Sequence, residues 1–362
     1  MLQLIEISLT RFKNYLSRRF EFSERIVCIC GNNGTGKTSL LDAVYYLCFT
    51  KSYFTRSDSY SIQQGQNGFR VEGNFLLNNK EEEAVCILRE TGKKEFSVNA
   101  LIYEKFSQHI GHYPCVIIAP DDALLITGGS EERRKFLDAL LSQLDADYLK
   151  HLIICNKLLQ QRNAFLRSLA ENAVTDLSLL DVLDRQIAKP GIFIFEKRKA
   201  FLESFLPLVK KLYDEIASQP EELIFSYDSE LLKASYPDLL KASRQKDCRA
   251  QRSTSGIHKD DIEIFLGNMP FRNIASQGQR KSLLFALKLA EMEILKREKG
   301  FSPLLLLDDV FEKLDENRMT NLLQKVCKEN DGQVFITDTN RERLEQHLSY
   351  LSLPYQLIEL IN

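Results

Sequence analysis

Several features are missing from this sequence, and each absence excludes a class of protein. The chain has eight cysteines but no C-x-x-C pair, so neither a zinc knuckle nor a disulfide framework is indicated and reduced thiols are expected. The formal net charge is -2, so any binding to nucleic acid must use local basic patches. No apolar run reaches the length of a membrane span, and the N-terminus lacks the apolar core of a signal peptide. Together these absences predict a cytoplasmic protein without membrane contact.

The 362 residues exceed the usual size of one hydrophobic core, which predicts two lobes. Residues 1–119 show alternating apolar positions and turn residues, as expected for short strands. Residues 120–251 carry apolar residues at helical spacing, with an interruption predicted at Pro190-Gly191. Residues 252–362 alternate apolar strands with helices, which predicts a parallel sheet. We therefore expect an α/β fold, with lobe I formed by both chain ends and a mostly helical lobe II inserted between them.

The segment "GNNGTGKT", from Gly31 to Thr38, satisfies the phosphate-loop pattern G-x-x-x-x-G-K-[ST] at every fixed position. It follows the predicted strand "RIVCIC" and opens the predicted helix "TSLLDAVYYLC". Glycines at this spacing let backbone N–H groups surround a phosphate, and the helix start adds partial positive charge. Lys37 is expected to reach the β- and γ-phosphates of ATP, and the Thr38 hydroxyl to ligate Mg²⁺. The predicted nucleotide-binding residues of the loop are Gly31, Asn32, Asn33, Gly34, Thr35, Gly36, Lys37, Thr38 and Ser39.

A second motif is "LLLLDD", in which four leucines from Leu304 are followed by the two acids Asp308 and Asp309. Chemistry in parallel sheets is found at the carboxyl ends of the strands. We expect Asp308 to hold Mg²⁺ and Asp309 to orient or deprotonate the attacking water. An aspartate is one methylene shorter than a glutamate, so hydrolysis is expected to be slow. The alternative is that two acids simply end a strand.

The segment "SQGQ", from Ser276 to Gln279, begins a predicted helix with residues that bury nothing. One interpretation is an N-cap, because Ser276 is a good capping residue. The other is an anion site, because a helix start offers unpaired N–H groups and Gly278 lets a phosphate approach the backbone. Asp315, in "EKLDEN", likewise precedes a helix and has an N-cap as its alternative.

The order of these motifs resembles the head of an ABC-type ATPase, and within that superfamily the chain most closely resembles the RecF family. The resemblance covers nearly the whole length. The segments that carry it are "RFKNY" (11–15), "GNNGTGKTSLLDAVYYL" (31–47), "APDD" (119–122), "GGSEERRKFLD" (128–138), "LLQQRNAFLR" (158–167), "TSGIHKDD" (254–261), "SQGQRKSLLFALKLAE" (276–291) and "LLLLDDVFEKLD" (304–315).

The resemblance implies an ATP-dependent homodimer in which each nucleotide lies between two copies. Ser276, Gly278 and Gln279 of one copy would then contact the γ-phosphate held by the other. Asp315 would contact the site across the interface, and Lys13 and Asn14 would lie near the nucleotide. The residues expected to act in catalysis are Lys37, Ser276, Asp309 and Asp315.

The same resemblance implies binding to DNA at single-strand/double-strand junctions, independent of base sequence. It also implies RecR/RecO-type mediators as partners and help in loading recombinase at gaps, within DNA repair, replication and the response to DNA damage. The alternative function is the ATPase subunit of a membrane transporter, which shares the motifs. Transporter heads usually carry a glutamate at the position of Asp309 and a histidine near Asp338, and this chain has neither.

Two positions leave their roles open. Asp338 stands where many related heads carry a switch histidine, and His258 is either structural or catalytic. Four basic clusters are candidate DNA contacts, each with a solvated or ion-paired surface as its alternative. They are Arg18-Arg19, Lys51 with Arg56, Arg133-Arg134-Lys135, and Lys197-Arg198-Lys199.

Overall fold

A computed structural model describes residues 1–171, 177–217, 221–309 and 316–361 of the chain. It divides into two compact units: unit 1 is residues 1–122 with 285–362, and unit 2 is residues 123–284. The sequence placed the divisions after 119 and after 251. The second lies further along the chain because the strand at 261–266 pairs with the strand at 223–228 and so belongs to unit 2.

Fourteen strands and ten α-helices are found in the described residues. The strands are β1 (Leu2–Phe12), β2 (Tyr15–Glu21), β3 (Ile26–Gly31), β4 (Phe69–Leu77), β5 (Lys80–Leu88), β6 (Lys94–Val98), β7 (Leu101–Ile102), β8 (Cys115–Ile118), β9 (Leu223–Asp228), β10 (Asp261–Leu266), β11 (Met269–Pro270), β12 (Leu304–Leu307), β13 (Val334–Asp338) and β14 (Gln356–Leu360). The helices are α1 (Lys37–Phe49), α2 (Ala123–Thr127), α3 (Ser130–Leu144), α4 (Ala146–Glu171), α5 (Ser178–Ala217), α6 (Tyr236–Ala250), α7 (Phe271–Ile274), α8 (Gln277–Lys299), α9 (Glu316–Leu323) and α10 (Arg341–Leu351).

Unit 1 contains two sheets. One is five-stranded with the order β14-β3-β13-β12-β8, and every neighbouring pair is parallel, as the alternating strands and helices predicted. The other is six-stranded with the order β2-β1-β4-β5-β6-β7, and its pairs are antiparallel. The carboxyl ends of β3, β12 and β13 lie side by side, which is the edge where the phosphate loop and the two acids emerge.

Helix α1 lies in the main hydrophobic core of unit 1. All of its residues except Thr38 are buried. Its apolar side chains share one cluster with residues of both sheets, including Leu4 and Val71 of the antiparallel sheet and Ile29 and Leu306 of the parallel sheet. A helix that is apolar on all sides is stable only when it is covered on all sides. This packing fixes the start of α1, and with it the phosphate loop.

Unit 2 is mostly helical, with a three-stranded antiparallel sheet of order β11-β10-β9. The interruption predicted at Pro190-Gly191 is wrong, because α5 continues through both residues for 40 residues. Proline removes one backbone hydrogen bond from a helix. Gly191, beside the proline, packs closely against another element: a Cβ there would lie 2.2 Å from Cε1 of Tyr236. The close approach of this ring, together with the buried apolar face of α5, stabilises the continuous helix.

The eight cysteines are all free thiols, and all are buried except Cys248, which is half-buried. Cys28 and Cys30 belong to the buried strand β3, as predicted. Burial raises the pKa of the Cys30 thiol to about 11, so it stays protonated at neutral pH. Among the residues that the structure describes, no helix is long and apolar enough to cross a membrane.

Candidate functional site

The phosphate loop connects β3 to α1, and neighbouring atoms leave no room for a side chain at two of its glycines. Gly36 has φ of 101°, a backbone conformation that favours glycine, and caps the start of α1. A Cβ at Gly36 would lie 2.8 Å from the Tyr15 hydroxyl oxygen, which donates a hydrogen bond to the Gly36 carbonyl at 3.0 Å. A Cβ at Gly31 would lie 2.6 Å from the Leu360 carbonyl oxygen. The loop is therefore held in one shape by β2 and β14, outside the motif itself.

The buried Lys37 side chain lies against the loop. Its Nζ donates hydrogen bonds to the carbonyl oxygens of Gly31 at 2.8 Å and Asn32 at 3.2 Å. The first turn of α1 has no acidic side chain, so the positive end of the helix is not neutralised there. A cation, a glycine-rich loop and a helix start meet at one place, which is the arrangement that binds phosphates.

Asn14 and Lys13, both predicted near the nucleotide, do different things. Asn14 bridges the loop, since its Nδ2 donates to the Gly34 carbonyl at 3.0 Å and its Oδ1 accepts from the Ser39 hydroxyl at 2.6 Å. The Lys13 ammonium instead lies 2.5 Å from a carboxylate oxygen of Asp42, whose side chain is fully buried. Lys13 thus neutralises a buried acid on α1.

Thr38 and Asp308, the two predicted Mg²⁺ ligands, are in direct contact. The Thr38 hydroxyl lies 3.0 Å from both carboxylate oxygens of Asp308, and Thr337 donates a hydrogen bond to Oδ1 at 2.9 Å. Burial raises the pKa of Asp308, and the hydrogen bonds from Thr337 and Thr38 oppose that shift. A hydroxyl oxygen beside a carboxylate is the kind of ligand pair that Mg²⁺ prefers, so these residues fit the ion.

Asp309 follows immediately, in a left-handed backbone conformation with φ of 45°. Its N–H donates to the Thr337 hydroxyl at 2.9 Å. Thr337 therefore contacts both acids, and the sequence analysis missed it. The signal was its place near the end of β13, the strand beside β12. Asp315, the other predicted acid, lies outside the described residues.

The chain is similar in sequence to known proteins of one family. The model "RecF/RecN/SMC N terminal domain" matches residues 3–356. The DNA replication and repair protein RecF of Flavobacterium johnsoniae is 41% identical, over 99% of this chain and 100% of that protein. RecF of Bacteroides thetaiotaomicron is 42% identical, over 99% of this chain and 96% of that protein.

The chain belongs to the RecF family.

Solved structures agree with this assignment. The structure described as the recombination mediator protein RecF with ATP in the RecFOR pathway has a TM-score of 0.86 and 30% identity, over 94% of this chain and 92% of that chain. The Smc head domain of Pyrococcus furiosus has a TM-score of 0.54 and 16% identity, over 96% and 92% of the two chains, and shows the shared fold alone. The ABC-type ATPase head predicted from the sequence is thereby confirmed. The relatives are proteins of DNA replication and repair, which does not favour the transporter alternative.

The RecF-family segment "SQGQ" forms a capping box at the start of α8. The Gln279 N–H donates to the Ser276 hydroxyl at 3.2 Å, and the Ser276 N–H donates to the Gln279 side-chain oxygen at 2.7 Å. Gln279 also donates to Glu221 at 2.9 Å. The capping interpretation is thus confirmed within unit 2. Contact of Ser276, Gly278 and Gln279 with a phosphate stays a prediction.

Asp338 and His258 both have structural partners in this RecF-family chain. Asp338 is buried and accepts two hydrogen bonds from one nitrogen of Arg343, at 2.7 and 2.8 Å. It also accepts the Asn340 N–H at 2.7 Å, so it holds the turn into α10. Nε2 of His258 lies 3.1 Å from the Ser253 carbonyl oxygen. Burial lowers the pKa of His258 to about 4, so the ring is neutral at physiological pH.

Two of the four basic clusters are largely used inside unit 2. The Arg133 guanidinium contacts Asp261 at 2.7 and 2.9 Å and is buried. Arg198 is also buried, with Asp138 at 2.8 Å and Asp260 at 2.9 Å. Burying one such charge without its partner costs several kcal/mol, roughly 3–5 kcal/mol. Arg133 and Arg198 are therefore structural, which removes one arginine of each cluster from the candidate DNA contacts.

Proposed function

We propose that this RecF-family protein is an ATP-dependent switch that binds DNA during recombinational repair and replication. The observation that carries the proposal is the contact of the Thr38 hydroxyl with both oxygens of Asp308. It joins the phosphate loop to the end of β12, as a nucleotide–metal site requires. Both residues are supported by Thr337 and by the packing of α1 in the core.

In this proposal the loop from Gly31 to Thr38 binds the phosphates of ATP, with Asn14 keeping the loop closed and Ser39 beside it. Lys37 exchanges its two carbonyl contacts for phosphate oxygens. Thr38 and Asp308 would hold Mg²⁺, and the bound ion would supply positive charge beside the phosphates. Asp309 orients the attacking water, and Thr337 fixes its backbone. The shorter reach of an aspartate makes the hydrolysis slow.

The second half of the site comes from another copy of the same chain. Ser276, Gly278 and Gln279 of that copy complete the γ-phosphate contacts, and its Asp315 contacts the same site. The support for this assignment is that the capping box gives the Ser276 hydroxyl a fixed position at the start of α8. ATP would then bring two copies together, and hydrolysis would release them.

The dimer is proposed to bind DNA at single-strand/double-strand junctions or gaps through phosphate contacts, without reading base sequence. RecR/RecO-type mediators and the recombinase are the partners proposed from the family. The support is the assignment to a family of DNA replication and repair proteins, together with the RecFOR-pathway relative of known structure.

The test is binding of fluorescently labelled gapped, duplex and single-stranded DNA, each with and without ATP and Mg²⁺. We expect tightest binding to the gapped DNA and a clear gain on adding ATP. Lys37→Met serves as the control that should lose the gain. Equal binding to all three DNAs with no effect of ATP would contradict the proposal.

A further inference from the structure

A groove on unit 1 carries three arginines and takes no part in the nucleotide site. It encloses about 400 Å³ beside the ends of β1, β4 and β5. We call it the arginine groove. The residues that line it include Thr10, Arg11, Gly68, Arg70, Arg89 and Thr91.

The sheet register brings the three arginines together. Thr10 of β1 lies opposite Arg70 of β4, and Arg70 lies opposite Ile87 of β5. Neighbouring strands are about 4.8 Å apart, so Arg11 and Arg89, which follow Thr10 and Ile87 closely, lie on either side of Arg70. Gly68 has no room for a side chain, because a Cβ there would lie 2.3 Å from the Leu88 carbonyl oxygen. The groove is thus a built feature of these strand ends.

The charges of the groove are only partly neutralised. Arg70 pairs with Glu72 at 2.6 Å, and Arg89 pairs with Glu95 at 2.7 Å. Glu95 also has Lys93 at 3.1 Å. Arg11 is exposed, and within the described ranges no carboxylate lies at ion-pair distance from it. Glu90 also lines the groove, and Glu83 is hydrogen-bonded to Glu72. Among the described residues, Arg11 is therefore the groove arginine whose charge no carboxylate neutralises.

Arg11 holds this position at a conformational cost. Its φ of 56° is left-handed, which costs an ordinary residue about 1–2 kcal/mol. Lys13, two residues later, has the same kind of conformation with φ of 45°, but there the side chain reaches the buried Asp42. Within the part of the chain that the structure describes, the Arg11 side chain has no such ion pair. A strained residue that displays a free charge indicates a function outside the folded chain.

An exposed aromatic side chain lies close to the groove. Tyr60 is 73% exposed. Two residues after Tyr60, Ile62 forms a β-bridge with Phe12. The next residue, Gln63, donates its N–H to the Arg11 carbonyl at 2.9 Å. Two residues span at most about 7 Å, so the backbone of Tyr60 lies near the Arg11 end of the groove. An aromatic ring beside cations is the combination on which unpaired bases stack.

We infer that the arginine groove binds the phosphodiester backbone of DNA and that Tyr60 stacks on an unpaired base next to it. This inference rests on the proposed function, since it names the surface that a DNA-binding protein of this family would use. It gives a physical reason for preferring a junction. The arginines contact phosphates of both single-stranded and duplex DNA, whereas the ring can stack only on a base outside the duplex.

The experiment compares two charge-matched double variants in the full chain, with ATP and Mg²⁺ present. Arg11→Asn with Arg89→Gln removes two positive charges from the groove. Asparagine tolerates left-handed backbone, and Glu95 keeps Lys93 as its partner. Lys150→Gln with Lys157→Gln removes two charges from the exposed side of α4 in unit 2. Affinity for gapped DNA is measured over a range of salt concentrations, and ATP-dependent dimerisation is measured in parallel.

We expect the groove variant to dimerise normally and to bind gapped DNA at least about tenfold more weakly. The slope of the logarithm of its DNA affinity against the logarithm of salt concentration should be smaller in magnitude by about 2. The α4 variant should bind as the unsubstituted protein does. Tyr60→Ala should weaken binding to gapped DNA about tenfold and leave duplex binding unchanged. Equal losses in both double variants, or unchanged binding in the groove variant, would overturn the inference. If the unsubstituted protein bound no DNA at all, the proposed function itself would fail.

Discussion

At the scale of single residues, Thr337 is the side chain that organises both acids of the site. Its hydroxyl donates to Asp308 at 2.9 Å and accepts the Asp309 N–H at 2.9 Å. Residues that orient a metal ligand change metal affinity or activity by about 10–100-fold when they are lost. We therefore predict that Thr337→Val lowers the rate of ATP hydrolysis by about that factor, measured as phosphate release at saturating ATP over a titration of Mg²⁺.

Thr337→Ser is the matched control, because it keeps the hydroxyl and removes one methyl group. It should retain most of the activity, and ATP binding at low temperature should be the same in all three proteins. Activity in Thr337→Val equal to that of the serine variant would show that the hydroxyl does not position the acids.

Residues within a motif were predictable, and their long-range partners were not. The phosphate loop and "LLLLDD" were found because their spacing is local and their chemistry is specific. The contact of the Lys13 ammonium with the buried Asp42 was not predicted. Asp338 proved to be paired with Arg343. Such pairs depend on which faces of distant elements meet, and a single sequence does not contain that information.

At the scale of elements, helix α8 carries two features of different kinds. Its start is the capping box of Ser276 and Gln279, of which the N-cap role of Ser276 was one of two interpretations of the sequence. Further along, Glu291 is buried, with Lys288 3.7 Å from its carboxylate. Burial raises the pKa of Glu291 from 4.5 to about 7, and nearby Lys288 opposes the shift. The helix therefore contains an acid that titrates near neutral pH in the folded protein.

This shift predicts how stability depends on pH. Between pH 4.5 and about 7 the folded protein holds a proton on Glu291 that the unfolded chain has lost. The contribution of this group to stability is therefore complete below pH 4.5 and is lost as pH rises to about 7. The glutamine of Glu291→Gln cannot ionise. The free energy of unfolding of this variant, relative to that of the unsubstituted protein, should therefore increase by about 3 kcal/mol between pH 4.5 and about 7. Urea denaturation at several pH values measures the difference.

Glu293→Gln, on the exposed side of the same helix, is the control and should show no such gain. A constant difference between Glu291→Gln and the unsubstituted protein across pH would mean that Glu291 ionises in the folded state as it does in the unfolded chain.

Element boundaries show where sequence patterns stop being sufficient. Strands β3 and β12 of the parallel sheet were predicted because buried parallel strands are continuously apolar, as in "LLLL" of β12. The break at Pro190 was wrong because tertiary packing against Tyr236 and the apolar face of α5 outweighs the loss of one hydrogen bond. Similarly, β10 was counted with the final segment, although it pairs with β9.

At the scale of the whole molecule, the chain is built from two units, and the motifs predicted to act on ATP occur in both. The phosphate loop and the two acids belong to unit 1, and Ser276 belongs to unit 2. The proposal assigns Ser276 to the site of another copy. Each site in the dimer would then need one intact phosphate loop and one intact Ser276, supplied by different chains.

That requirement gives a complementation test for the central claim, ATP-dependent dimerisation through composite sites. Lys37→Met removes the phosphate contact of the loop, and Ser276→Arg blocks the opposite half of the site. In a dimer of either variant both sites are defective. In a mixed dimer one site combines the intact loop of the Ser276→Arg chain with the intact Ser276 of the Lys37→Met chain.

The decisive measurement is sedimentation velocity of the two variants, alone and mixed in equal amounts, with ATP and Mg²⁺. Each variant alone should remain monomeric, the unsubstituted protein should dimerise, and the mixture should form dimers that disappear when ATP is withdrawn. Dimerisation of Lys37→Met alone, or a mixture that stays monomeric while the unsubstituted protein dimerises, would contradict the account.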